Sequence, residues 1–217
     1  MRMRGTYVMA AALLAGAAFQ PSPAAAQPAE VPAPVADVAG WAASTGDNQR
    51  LPFMVLDKVT AVVFLYDNSG RPLGRAPVLI GTAIGDDTAP GLGDRELHEI
   101  RPEDRTTPAG RFVTKFGPAL GKYKQVLWIS YKDSVAMHPV ITSDWREQRM
   151  KRLNSPTPGD NRITYGCINV AADFYNKAIR PLFASGGGIA YVLPESRQLA
   201  EVIPGFQPIL ADIRQAR

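Results

Sequence analysis

The sequence predicts a mainly β domain with a few short helices, an α+β class in which strands dominate. Runs of β-branched and aromatic residues recur between positions 59 and 193, each bounded by Gly, Pro, Asn or Asp. Helix-like polar and apolar spacing appears in only two segments of that span, and no internal repeat is visible.

The first strand is expected over 59–66 (VTAVVFLY). Asp67-Asn68-Ser69-Gly70 supplies turn chemistry, and an apolar return over 77–84 completes a hairpin. Residues 85–109 are dense in Gly, Pro and charge and read as a long irregular connection, of the kind that is usually functional. Three strands follow, over 111–116, 126–131 and 134–140. The segment 145–153 (WREQRMKRL) reads as a helix ended by Pro156 and Pro158, and 171–180 reads as a second helix limited by Pro181. Gly186 and Gly187 form a flexible connection into a last buried strand over 188–193, and the tail from Ser196 is at best weakly helical.

Ahead of this domain, Arg2 and Arg4 precede an apolar stretch over 5–19, and Ala24-Ala25-Ala26 offers a small-residue cleavage site. That is the layout of a secretory signal peptide over 1–26, and the apolar stretch is short of the roughly 20 residues of a membrane span. An uncleaved anchor is the alternative. Residues 27–50 are a Pro/Ala-rich lead-in, and 51–217 form one domain with its core at about 55–195. The chain is thus expected to be exported to the periplasm or cell envelope, with no membrane span after cleavage. Its formal charge of +4 falls to +2 without Arg2 and Arg4, and no basic stripe interleaves with aromatics. Nucleic acid is therefore not expected as a partner.

One cysteine, Cys167, stands in the run Thr164-Tyr165-Gly166-Cys167-Ile168-Asn169. In an oxidising compartment a thiol with no partner in the chain is buried and inert, joined to another molecule, or kept for chemistry. Thiol catalysis needs a base and amide donors for a developing oxyanion. Of the two histidines, His138 ends a strand-like run and is the better base, since His98 lies in a polar loop beside Glu96 and Glu99. A neighbouring His is expected to lower the thiol's pKa. Gly166 permits a sharp turn, so the amides of Tyr165, Gly166 and Cys167 are candidate oxyanion donors. The bland alternative is a satisfied core cysteine.

The stretch from His138 to Thr164-Tyr165-Gly166-Cys167-Ile168-Asn169 resembles the signature of the L,D-transpeptidase catalytic domain, a bacterial cell-wall enzyme family. The segment Thr106-Thr107-Pro108-Ala109-Gly110-Arg111-Phe112 is similar to that family's Thr-Pro-x-Gly-x-Phe segment. The resemblance implies a β-sandwich-like arrangement of mixed sheets, Cys167 as nucleophile, and His138 as base and acid. It places Thr164 and Asn169 in the active-site turn. It further implies attack on a tetrapeptide stem of peptidoglycan, release of D-Ala, and a thioester resolved by a second stem into a 3→3 cross-link. Water, a small amine or an envelope protein are other acceptors, and no metal or organic cofactor is needed. The chain departs from the family pattern at three places: Tyr165 stands where a His is usual, Pro139 follows His138 where Gly is common, and the interval of 29 positions from His138 to Cys167 is longer than the usual spacer. The long interval is expected to build a lid or wall over the donor stem. A catalytically inactive envelope-binding domain is the reading from a different class.

Other signals are weaker. Trp128 and Trp145 are candidates for a substrate groove, with core packing the simpler reading for Trp128. Arg162 is a candidate partner for a stem carboxylate. Asp86, Asp87 and Asp94 lack the spacing of a calcium loop, so no metal site is expected.

Overall fold

The computed structural model describes residues 30–119 and 121–207; the expected signal peptide and the last ten residues lie outside them. Among the described residues ten strands form: β1 (Phe53–Asp57), β2 (Val62–Tyr66), β3 (Pro72–Pro77), β4 (Ile80–Gly81), β5 (Gly110–Pro118), β6 (Gln125–Ser130), β7 (Val135–Pro139), β8 (Arg162–Thr164), β9 (Ile168–Val170) and β10 (Gly188–Val192). Eight of them make one mixed sheet in the order β3-β2-β1-β10-β5-β6-β7-β9, and β4 and β8 pair separately. The β1–β10 and β7–β9 pairs are parallel; the other pairs of the large sheet are antiparallel.

Side chains from both ends of this sheet enter a single apolar core. Met54, Leu56, Val63 and Leu65 meet Leu127, Met137, Ile168 and Val170 there, so the sheet curls over until its two halves face one another. The α+β, sandwich-like class expected from sequence is what forms. Tyr175, Ile179 and Phe183 close the open side of this core.

The other face of β1, β2 and β10 carries Phe53, Val55, Phe64, Tyr66, Ile189 and Tyr191, and it is covered by the helix α1 (Ala33–Thr45). The lead-in expected over 27–50 thus contains a packed helix. Its Ala-rich composition favours helix, Pro34 sits in the first turn where no N–H is missed, and Gly46 closes it in the left-handed conformation. Burying Val35 and Val38 contributes about 1.5–3 kcal/mol each, and this anchors a 13-residue helix that is marginal alone.

Three further expectations are corrected. The hairpin of 59–84 is built from β2 and β3, because the chain turns away after Pro77 and 80–81 pairs with β8 instead. The helix expected over 145–153 breaks into a 3₁₀ turn (Trp145–Glu147) and α2 (Arg149–Leu153), since Gln148 takes φ +47° between them. The helix expected to stop at Pro181 continues to Phe183. A π turn over Tyr175–Ile179 widens the backbone just ahead of the proline, where its ring would otherwise press on the preceding turn.

Candidate active site

The outer face of β6, β7 and β9, opposite the core face, carries the candidate residues. Leu127, Met137 and Ile168 point inward, so Trp128, Ala136, His138 and Asn169 point outward by strand alternation. His138 is opposite Asn169 in the parallel β7–β9 pair. Cys167, two residues before Asn169, is level with Ala136 on the same face. Trp128 pairs with Ala136, and continuing the β7–β9 register back by one position puts Cys167, in the turn before β9, in the same row, about 10 Å from Trp128 at the usual strand spacing.

The turn that delivers Cys167 is held from two sides. Thr164 Oγ1 donates to the Cys167 carbonyl (2.6 Å) and accepts from Gly166 N–H (3.1 Å). From behind, Thr107 Oγ1 donates to the Gly166 carbonyl (2.9 Å) and accepts from Gly81 N–H (2.9 Å). Gly166 takes φ +123°, and a Cβ there would lie 2.7 Å from the Thr106 carbonyl oxygen, so only glycine fits without displacing the segment that leads into β5. The Gly166 amide is committed to Thr164, which removes it from the three expected oxyanion donors and leaves those of Tyr165 and Cys167.

His138 Nδ1 lies 2.9 Å from the Pro139 carbonyl oxygen. A carbonyl only accepts, so Nδ1 carries the proton and Nε2 holds the lone pair that a base needs. Asn169 Nδ2 is 3.1 Å from that Nε2. Asn169 Oδ1 accepts from Arg149 Nη1 (3.1 Å), which fixes the amide's orientation because guanidinium can only donate. The ring of Tyr123 flanks the imidazole, with centroids 5.7 Å apart.

The thiol of Cys167 is half-buried and donates to the Ser134 carbonyl across 3.8 Å, towards the start of β7 and away from His138. Burial pushes the thiol above its usual pKa, against smaller opposing pulls from a backbone hydrogen bond at Ala136 and from Arg149. Burial also pulls the His138 imidazole down; its hydrogen bond to Pro139 opposes this and the Arg149 charge adds to it. The expectation of a thiol lowered by its histidine is therefore reversed in this state, where both the thiol and the imidazole are held towards their neutral forms. The rate of Cys167 alkylation by iodoacetamide should accordingly keep climbing past pH 8.5, since ionisation lies above the ordinary thiol value. A plateau already reached below pH 7 would instead indicate a pre-formed thiolate–imidazolium pair.

The remaining sequence candidates divide. Tyr165 lies under the Arg105 guanidinium, 4.0 Å from the ring centroid, and Arg105 is in turn held by the Ile100 carbonyl. Trp128 is not core: its ring lies against Gly117, its Nε1 donates to the Pro118 carbonyl (3.1 Å), and Tyr131 meets it edge-on. Trp145 is 75% exposed on the segment before α2. Arg162 faces away from this work, because its guanidinium is spent on Glu195 and on the carbonyls of Gly81 and Ala83. Asp86 is likewise committed, to Lys58, Ser196 and the amides of 195–197. Arg149 is the site residue that sequence reasoning misses. It lies in the polar segment 145–153, and nothing in its spacing points to Asn169 20 residues later.

No protein-family model matches the chain, and no curated protein matches it. Solved structures do. The catalytic domain of the L,D-transpeptidase from E. faecium aligns at 16% identity and TM-score 0.38, over 65% of this chain and 95% of that one. The L,D-transpeptidase from Mycobacterium smegmatis aligns at 16% identity and TM-score 0.40, over 65% of this chain and 58% of that one. The helical cell shape determining protein Pgp2 from Campylobacter jejuni aligns at 14% identity and TM-score 0.42, over 73% of this chain and 56% of that one. For the last two, the match spans less than two thirds of the neighbour's length. Overlap of this size leaves the chemistry to be read from the residues of this chain.

Proposed function

We propose that the chain is an exported L,D-transpeptidase that acts on peptidoglycan stem peptides through a thioester at Cys167. The observation that carries this reading is the shared outer face of β7 and β9, where a histidine with its lone pair on Nε2 stands one strand from a cysteine delivered by a glycine turn.

The chemistry follows from that face. The thiol leaves the Ser134 carbonyl and passes its proton to His138 Nε2. Sulfur attacks the carbonyl of the third stem residue, and the amides of Tyr165 and Cys167 receive the developing oxyanion. His138 then returns the proton to the amine of the departing D-Ala, leaving a thioester. An amine from a second stem attacks the thioester carbon, His138 takes its proton, and the restored thiolate is reprotonated as a 3→3 amide forms. The Nδ1–H bond to Pro139 holds the ring in the tautomer this cycle needs and steadies the imidazolium between the two transfers. No step calls for a metal or organic cofactor. Trp128, in the same row as Cys167, lines the path of the stem in this reading.

Incubation of the purified protein with a stem tetrapeptide tests the reading. Release of D-Ala with peptide dimers is the expected outcome. Release without dimers assigns the same acyl-enzyme to hydrolysis or to another amine, including one on an envelope protein. Binding without release would reject catalysis and leave an envelope-binding domain.

A further inference from the structure

We propose that the insert between β7 and β9 is a working part of the site: its Arg149, clamped by Glu147, sets the side-chain amide of Asn169 and through it the orientation of the His138 imidazole. The inference rests on the reading of His138 as the base for Cys167.

The geometry runs in one direction. Glu147 takes the Arg149 Nε (2.6 Å) and Nη2 (3.3 Å) with its two carboxylate oxygens, which aims the remaining Nη1 at Asn169 Oδ1. Oxygen held by the guanidinium leaves the amide nitrogen facing the imidazole, 3.1 Å from Nε2 and 3.4 Å from Nδ1. The parts are fixed in place. The Arg149 side chain is only 12% exposed, Asn169 is fully buried, and the Asn169 backbone exchanges both hydrogen bonds with Leu79. The αL residue Gln148 turns the chain so that α2 starts at Arg149, and Leu153 at its far end packs against Leu79 and Val140. Arg152 and Asn161 tie the insert to its own carbonyls at Glu147, Asp160 and Leu153. Such a frame suits a positioning residue rather than a substrate ligand, because a stem carboxylate would have to displace Glu147 from the guanidinium fork.

The test is the alkylation rate of Cys167 at neutral pH in single and paired variants, with melting temperature measured beside it. Arg149→Met should slow alkylation by about 10–100-fold, the scale of lost support around a reacting group. Asn169→Ala should do the same. Because Arg149 acts through Asn169, the double variant should be no slower than the slower single variant. Arg149→Lys should recover part of the rate, since one ammonium reaches Asn169 but does not hold Glu147 with two bonds. A wild-type rate in Arg149→Met, or effects that multiply in the double variant, would overturn the proposal. If Arg149→Met fails to fold, a wild-type rate in Arg149→Lys overturns it as well, because charge alone would then suffice. Peptide turnover is a separate readout. Intact protein that alkylates through His138 but never releases D-Ala would sink the proposed function and leave this inference standing.

Discussion

Cys167→Ala should abolish both carbapenem acylation and release of D-Ala, by a factor on the order of 10⁴ or more, and leave the melting temperature almost unchanged. The two halves of this expectation have separate causes. The thiol is the only nucleophile in the row formed with Ala136 and Trp128, so its removal stops thioester chemistry at the first bond. The turn around it does not depend on sulfur: Thr164, Gly166 and Thr107 hold it through backbone carbonyls and amides that alanine at 167 retains. Sulfur itself is held only weakly, by the Ser134 carbonyl at 3.8 Å and the backbone at Ala136. A carbapenem is the suitable probe because thiols of the resembled family open its ring, and intact-protein mass then reports acylation without knowledge of the acceptor. His138→Gln should cut acylation by roughly 10²–10⁴-fold, because glutamine can still donate to Pro139 but offers no basic lone pair. An adduct that survives in Cys167→Ala would remove the nucleophile assignment, and an unchanged rate in His138→Gln would remove the base.

How far the sequence reveals this site depends on whether a residue's partner is local. Val126, Leu127 and Ile129, the run around Met137, and 188–193 announce buried strands through their own composition. The turn at 164–167 is legible too, since Thr, Gly and Cys close it among themselves. β1 is harder to see because both of its faces are covered, Phe53 and Val55 on the α1 side and Met54 and Leu56 in the other core, so no alternation marks it. In α1, the prolines and alanines mask a helical spacing at Val35, Val38, Ala39 and Ala42 that is present in the sequence. The side of Arg149 that matters is set by the left-handed turn at Gln148, and a polar helix pattern cannot show it. Trp128 looks like core because it sits in an apolar strand, yet the residue parity that sends Leu127 inward sends Trp128 out onto the face of Cys167.

Lys58→Met should destabilise the protein by about 3–5 kcal/mol and slow alkylation of Cys167, although Lys58 reaches the Cys167 turn only through Thr107. Both side chains of the Lys58–Asp86 pair are fully buried, 2.8 Å apart. The ammonium also donates to the carbonyls of Gly85 (2.5 Å) and Thr107 (2.9 Å), and Glu195 lies 3.5 Å away. Methionine keeps the length of the side chain and removes its charge, so Asp86 is left ionised without its cation and two carbonyls lose their donor. For a domain of this size the loss corresponds to a melting temperature lower by on the order of 10 °C. Its dependence on pH identifies the cause. Burial alone would push the Asp86 carboxyl up, but Lys58, Ser196 and the amides of 195 and 196 hold it well below the ordinary range. A carboxyl depressed on folding stabilises the wild type above about pH 4, and that contribution is lost as pH falls towards the folded value. In the variant Asp86 lacks its cation and takes up a proton more readily. The gap in melting temperature between the two proteins should therefore stay level down to about pH 4 and narrow as pH falls below it; a gap that stays constant down to about pH 3 would point to lost packing instead. The effect on Cys167 passes through Thr107, whose carbonyl Lys58 holds and whose hydroxyl holds the Gly166 carbonyl. Alkylation at the wild-type rate in a folded Lys58→Met protein would show that Thr107 keeps its place without the buried ammonium, and would confine the ion pair to a role in stability.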